Sequence, residues 1–145
     1  MCGIWTPFGA RRILGRMTRL TIRIDFDDDA AFGPGKARLL ECVESEGSIR
    51  GAAVAMGMSY RRAWMLLQEI EAIVGAPVVD GATGGVNGGG TRLTALGRSV
   101  MSRYRAIEKR AEEAVRRELN GLTALTRRQR RRGKRQASHR DKKRS

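Results

Sequence analysis

The stretch GPGKARLLECVESEGSIRGAAVAMGMSYRRAW (residues 33–64) decides the fold. Its helix ends are written in residue types. Gly33 and Pro34 suit a helix start, with proline near the first helical position. Ala37, Leu40, Cys42 and Val43, with Leu39 alongside, make an apolar stripe, and Gly47 ends the helix near Glu46. Ser48 can cap a short second helix from Ile49 to about Met56, where Gly57 supplies a left-handed stop. Ser59 can cap a third helix reaching about Val74, with Gly75 beyond it. Its expected buried face is Ala63, Trp64, Leu67, Ile70 and Val74. Two short helices around a glycine turn are the helix-turn-helix arrangement. Ala53, four residues before Gly57, suits the close crossing, and Ile49, Ala63 and Trp64 would complete a small core.

Upstream, Leu20, Ile22, Ile24 and Phe26 alternate with Thr21, Arg23 and Asp25, which predicts a half-buried strand. Asp27, Asp28 and Asp29 follow as a solvated loop; without further ligands they do not make a metal site. Downstream, Pro77–Val79 and Thr91–Leu93 predict two short antiparallel strands. Six glycines between them (81, 84, 85, 88, 89 and 90) predict a flexible hairpin tip. This segment lacks the lysine of a phosphate-binding nucleotide loop and precedes a strand rather than a helix. Thr94 can cap a long fourth helix ending near Leu119, before Asn120 and Gly121; at about 1.5 Å per residue it would be roughly 39 Å long. The order strand, helix, helix, helix, strand, strand, long helix predicts a mainly α fold with a small β wing, a winged helix-turn-helix.

The chain has 145 residues and a formal net charge of +14. That length suits one modest domain with tails. No run approaches the roughly 18 apolar residues of a membrane span, and residues 1–16 lack the order of a signal peptide. A cytoplasmic location and no membrane partner are expected. Cys2 and Cys42 are too few for a disulfide framework, and His139 is the only histidine, so no catalytic site, metal site or cofactor is expected. The charge is uneven. Residues 121–145 carry eleven Lys and Arg against Asp141 alone, whereas residues 17–120 are nearly neutral at +1. The segment TRRQRRRGKRQASHRDKKRS has no apolar periodicity, which predicts a disordered basic tail over 121–145. Residues 1–18 are read as an N-terminal extension, also disordered, and residues 19–120 as the folded domain.

Within the folded part the charges are sorted. Helix N-termini carry partial positive charge, so isolated helices favour acids there and bases at the other end. Here the first helix opens with Lys36 and Arg38 and closes with Glu41, Glu44 and Glu46. The second has Arg50 in its first turn; the third opens with Arg61 and Arg62 and later carries Glu69 and Glu71. Each exposed misplaced charge costs about 0.3–1 kcal/mol. A polyanion at the helix N-termini would offset that, and DNA phosphates supply one. The candidate DNA contacts are therefore Lys36, Ser48 and Arg50, then Ser59, Tyr60, Arg61 and Arg62 of the third helix, and Asn87, Thr91 and Arg92 of the wing. Arginine can bridge the O6 and N7 of guanine, and either Arg61 or Arg62 suits that part.

Residues 33–64 and the segment GGVNGGGTRLTALGR (84–98) together resemble the DNA-binding domain of ModE-type molybdate-responsive transcriptional regulators, a relative of the LysR-type winged helices. The resemblance spans about residues 19–117, and SYRRAW followed by GGGTRLT carries it. It implies sequence-specific binding of double-stranded DNA, with Ser59–Arg62 in the major groove, by a homodimer joined through the strand and long-helix region. Full-length members of that family also carry molybdate-binding β domains. Residues 121–145 cannot supply one, so molybdate binding is not expected. The long-helix stripe Leu96, Val100, Tyr104, Ile107, Ala111 and Val115 is the candidate dimer surface. Two-fold symmetry would require a near-palindromic operator with half-sites about 34–36 Å apart. The competing expectation is a general nucleoid-associated or RNA-binding protein that acts through the basic tail.

Overall fold

A computed structural model describes residues 18–26, 30–81 and 90–142, with side chains to residue 130. Residues 20–109 form one compact unit; a second contains residues 18 and 19 and everything described from Arg110 onward.

In the first unit, β1 (Ile24–Asp25) pairs antiparallel with β2 (Ala31–Phe32), Ile24 opposite Phe32. The alternating segment 20–26 is thus a strand for only two residues, and Phe26 is exposed. Its partner strand ends where Pro34 opens α1 (Pro34–Glu46), so the ladder has nowhere to grow. Asp27–Asp29 lie outside the described residues.

The three central helices follow the caps. Gly47 takes φ 65° and its N–H closes on the Val43 carbonyl at 3.0 Å. The Ser48 hydroxyl accepts the Gly51 N–H at 3.0 Å and starts α2 (Ile49–Ala55). Gly57 takes φ 66°, a conformation that glycine reaches without the Cβ penalty. The Ser59 hydroxyl accepts the Arg62 N–H at 3.2 Å and starts α3 (Tyr60–Val74), which Gly75 ends. Ala37, Leu39, Leu40, Val43, Ala52, Ala53, Ala63, Leu67 and Ile70 form the shared core.

Trp64 does not join it. The structure leaves it 43% exposed. Successive helical residues are about 100° apart, so Ala63 and Trp64 cannot both point at the core centre. The packed arc runs from Ala63 toward Leu66 and Ile73, away from Trp64.

The wing base is β3 (Val79–Gly81) against β4 (Thr91–Leu93), Val79 opposite Leu93 and Asp80 opposite Arg92. The Thr91 N–H donates to the Gly47 carbonyl at 2.7 Å, which seats the wing on the turn between α1 and α2. Thr94 then does three things. Its N–H donates to the Val78 carbonyl at 3.0 Å, its hydroxyl donates to the Pro77 carbonyl at 3.0 Å, and the same hydroxyl caps the Gly97 N–H at 3.0 Å. That starts α4 (Ala95–Ala114).

Among the described residues Tyr104 is the largest fully buried side chain. Its ring meets Phe32 at 5.1 Å, tilted by 56°, and its hydroxyl donates to the Ile22 carbonyl at 2.7 Å.

The long helix expected to reach Leu119 is interrupted at Val115, and α5 (Arg116–Lys142) follows. The expectation of a disordered tail over 121–145 is therefore corrected for the backbone up to residue 142. The segment contains no proline and is rich in Arg, Lys, Gln, Leu and Ala, all good helix formers. An internal glycine such as Gly121 costs only about 1 kcal/mol. That local preference favours helix even where no apolar stripe is present.

A Cβ at Gly97 would stand 2.2 Å from the Val78 carbonyl oxygen, whereas one at Gly35 would meet nothing within 4 Å. The Val78 oxygen belongs to the backbone and cannot swing aside. Gly97→Ala should therefore lower the stability of residues 20–109 by about 2–3 kcal/mol, and Gly35→Ala should be neutral or slightly stabilising. Urea denaturation of both variants compares them.

Candidate nucleic-acid interface

The first turn of α3 is built for exposure. Ser59 is extended (φ −70°, ψ 152°), so its hydroxyl folds back to cap Arg62. The N–H groups of Tyr60 and Arg61 precede any intrahelical acceptor, and no described residue accepts from them. Tyr60 is half exposed, and Arg61 and Arg62 are exposed. None of α1, α2, α3 or α4 has an acid in its first turn.

The other expected contacts divide into two groups. Arg50 is exposed on the first turn of α2, and Arg92 is exposed on β4. Ser48 is occupied as a cap, and Thr91 is half-buried with its N–H on Gly47. Asn87 lies outside the described residues. Lys36 is not available to a phosphate: its ammonium donates to the Ala31 carbonyl and pairs with Glu69 at 3.0 Å, with the side chain only 11% exposed. The distant Glu69 explains it, since sequence spacing gives no hint of an α1–α3 pair.

The acids that seemed misplaced have internal duties. Glu41 takes Arg105 through both oxygens, at 2.6 and 2.9 Å, and Arg105 also pairs with Glu108. The hydrogen bond to Glu41 holds the Arg105 guanidinium above its ordinary pKa, against the opposing effect of burial. Glu44 accepts the Leu93 N–H at 3.2 Å and pairs with Arg98 at 3.3 Å. Glu71 accepts the Val78 N–H at 3.0 Å. The acids thus brace the fold, while Arg50, Arg61, Arg62 and Arg92 have no ion-pair partner among the described residues.

The candidate dimer stripe also divides. Leu96 and Ile107 are exposed, at 36% and 44%, and Val100 is packed at the core edge. Ala111 and Val115 are half-buried and belong to the second unit. Tyr104 is committed to its own core and is withdrawn from that surface.

Sequence reasoning passed over the outward face of α3 below the arginines. Trp64 and Met65 are each 43% exposed there, and Gln68 is exposed. The spacing Arg61, Trp64, Met65, Gln68 is itself a helical face, which was readable as a second stripe opposite the core. Among the described residues no cluster of three His, Cys, Asp or Glu side chains forms a metal site. No described helix is long and apolar enough to cross a membrane.

Residues 35–98 match the model of the bacterial regulatory helix-turn-helix protein, lysR family. Over that stretch the chain is similar to a LysR-type helix-turn-helix domain. Relatives of this domain include the molybdenum transport protein ModE of Azotobacter vinelandii, 37% identical over 81% of this chain and 42% of that protein. They also include the transcriptional regulator ModE of Haemophilus influenzae, 33% identical over 67% of this chain and 38% of that one. The chain thus spans about two fifths of the length of these curated relatives. Among solved structures, the DNA-binding domain in the CbnR–DNA complex aligns with 61% of this chain and 95% of its own at a TM-score of 0.48 and 20% identity.

Lys36 and Arg50 should behave as opposites. Lys36→Ala should lower the thermal midpoint, by the equivalent of about 1–2 kcal/mol, and leave the salt dependence of DNA binding unchanged. Arg50→Ala should leave the midpoint unchanged and reduce that salt slope by about one. Melting curves and binding isotherms at several salt concentrations separate the two.

Proposed function

We propose that this chain is a sequence-specific DNA-binding transcriptional regulator, without catalytic activity, that works in the cytoplasm. The observation that carries the reading is the exposed first turn of α3. Arg61 and Arg62 stand there free of acids, beside Tyr60 and the open N–H groups. In this role the turn enters the major groove, where arginine bridges guanine and Tyr60 and Ser59 hold phosphate. Arg50 adds a phosphate contact, and Arg92 lies along the backbone or the minor groove beside the wing. Relatives named as ModE transcriptional regulators support the reading, and with it a link to molybdate or metal-oxyanion metabolism.

The binding form is a homodimer on a near-palindromic site. Leu96 and Ile107 support it. They are eleven residues apart, about three turns, so they fall on one line of α4 and leave apolar surface open to a second copy. Two recognition helices one DNA turn apart would then lie about 34–36 Å from each other.

A promoter fragment and a random duplex of equal length should be bound with different affinities. Arg61→Ala and Arg62→Ala should cut the specific affinity by roughly 5- to 150-fold and leave the random duplex little changed. Unchanged specific affinity in both variants would remove α3 as the reading element. Deleting residues 122–145 takes away eleven cations. Sequence preference should survive that deletion while total affinity and salt slope fall, since phosphate contacts set the slope at about 0.9 per contact. Loss of all binding would instead favour a general nucleoid or RNA binder acting through α5.

A further inference from the structure

Two large apolar side chains lie side by side on the outside of α3. Trp64 and Met65 are both 43% exposed, on the face of α3 opposite Ala63, Leu67 and Ile70. They sit between Arg61 and Gln68, and the four residues follow helical spacing down one outward face. Seven residues from Arg61 to Gln68 span about 10 Å, the height of roughly three base pairs.

The chemistry of the strip fits the major-groove edge of an adenine–thymine pair. That edge carries a methyl group on thymine and an acceptor and a donor on adenine. Apolar side chains meet the methyl, and a glutamine amide can bond adenine at both N6 and N7. Charge decides the occupant. Arg61 and Arg62 border the strip, and neither has an ion-pair partner among the described residues. Glu69 is already held by Lys36, and Glu71 by the Val78 N–H. A second copy docking on this face would bring arginines against arginines, whereas duplex DNA brings phosphates.

We propose that Trp64 and Met65 read thymine methyl groups, with Gln68 on the adenine of the pair, so that the site contains adenine–thymine pairs next to the base pair read by arginine. This rests on the reading of α3 as a major-groove helix.

The test starts by selecting preferred duplexes from a random pool with the full chain. Each thymine of the selected site is then replaced singly by deoxyuridine, which lacks only the methyl, and affinity is measured by gel shift. At least one replacement should weaken the wild-type chain about fourfold, the worth of one buried CH₂-sized group. Trp64→Ala or Met65→Ala should bind the thymine duplex more weakly and show no further loss on that replacement. If a preferred sequence emerges and no deoxyuridine matters, the methyl-reading strip is wrong while DNA reading by α3 stands. If no sequence is preferred, both fall. A shift in oligomeric state of Trp64→Ala without DNA would assign the strip to self-association and overturn the proposal. The deoxyuridine series on the wild-type chain needs no variant to fold.

Discussion

The Val78 carbonyl is the joint on which the first unit depends. It accepts the Thr94 N–H, and α4 passes so close that only a hydrogen fits at position 97. Thr94 fastens the same joint from the other side through Pro77 and Gly97. Glu71 reaches across from α3 to the Val78 N–H, so both polar groups of that one peptide neighbourhood are bound. Val78 itself is fully buried. The wing base therefore does not merely follow the helices in sequence. It is clamped between the end of α3 and the start of α4, and Gly47 holds its other edge. A wing carried on such a base keeps Arg92 at a fixed place relative to α3.

Electrostatics is arranged in two layers. The acids toward the C-terminal ends of α1 and α3 oppose the helix dipoles, and Glu41, Glu44, Glu69 and Glu71 find compensating donors in Arg105, Arg98, Lys36 and the N–H groups of Leu93 and Val78. Most of these pairs are partly solvated, and exposed pairs contribute only about 0–1 kcal/mol each. The two-pronged Glu41–Arg105 contact, only about a third or less exposed on each side, is the strongest of them. Their larger effect is to draw negative charge inward. The arginines left on first turns and on the wing then face solvent without local neutralisation, and a nearly neutral domain gains a directed positive field.

The parts of the fold set by backbone chemistry were legible. Ser48, Ser59 and Thr94 cap where their hydroxyls can reach an open N–H, and Gly47, Gly57 and Gly75 stop helices where φ turns positive. Parts set by distant contacts were not. Lys36 reads as a surface charge until Glu69 comes beside it from α3. Tyr104 reads as part of an open stripe until Phe32 and the Ile22 carbonyl fill its surroundings. Trp64 reads as core because hydrophobicity says nothing about which side of a helix is already full. The short β1 and the continuation of α5 past Gly121 reflect balances of small terms, where one proline or a run of arginines tips the outcome. Arg50, Arg61 and Arg62, expected from charge order at the helix N-termini, and Arg92, expected from its place in the wing, are exposed, because surface charges have few internal rivals. The exposure of Met65 and Gln68 on the same face follows from their spacing of four and seven residues from Arg61.

The exposure of Trp64 has a practical side. The chain has two tryptophans, at positions 5 and 64, and the second lies on the outward face of α3. An indole open to water emits at long wavelength and is easily quenched; one covered by a stacked or apolar surface does neither to the same degree. The protein thus carries an intrinsic fluorophore on the helix face of interest. A Trp5→Phe background would isolate its emission, and any molecule covering that face would report its arrival without a label.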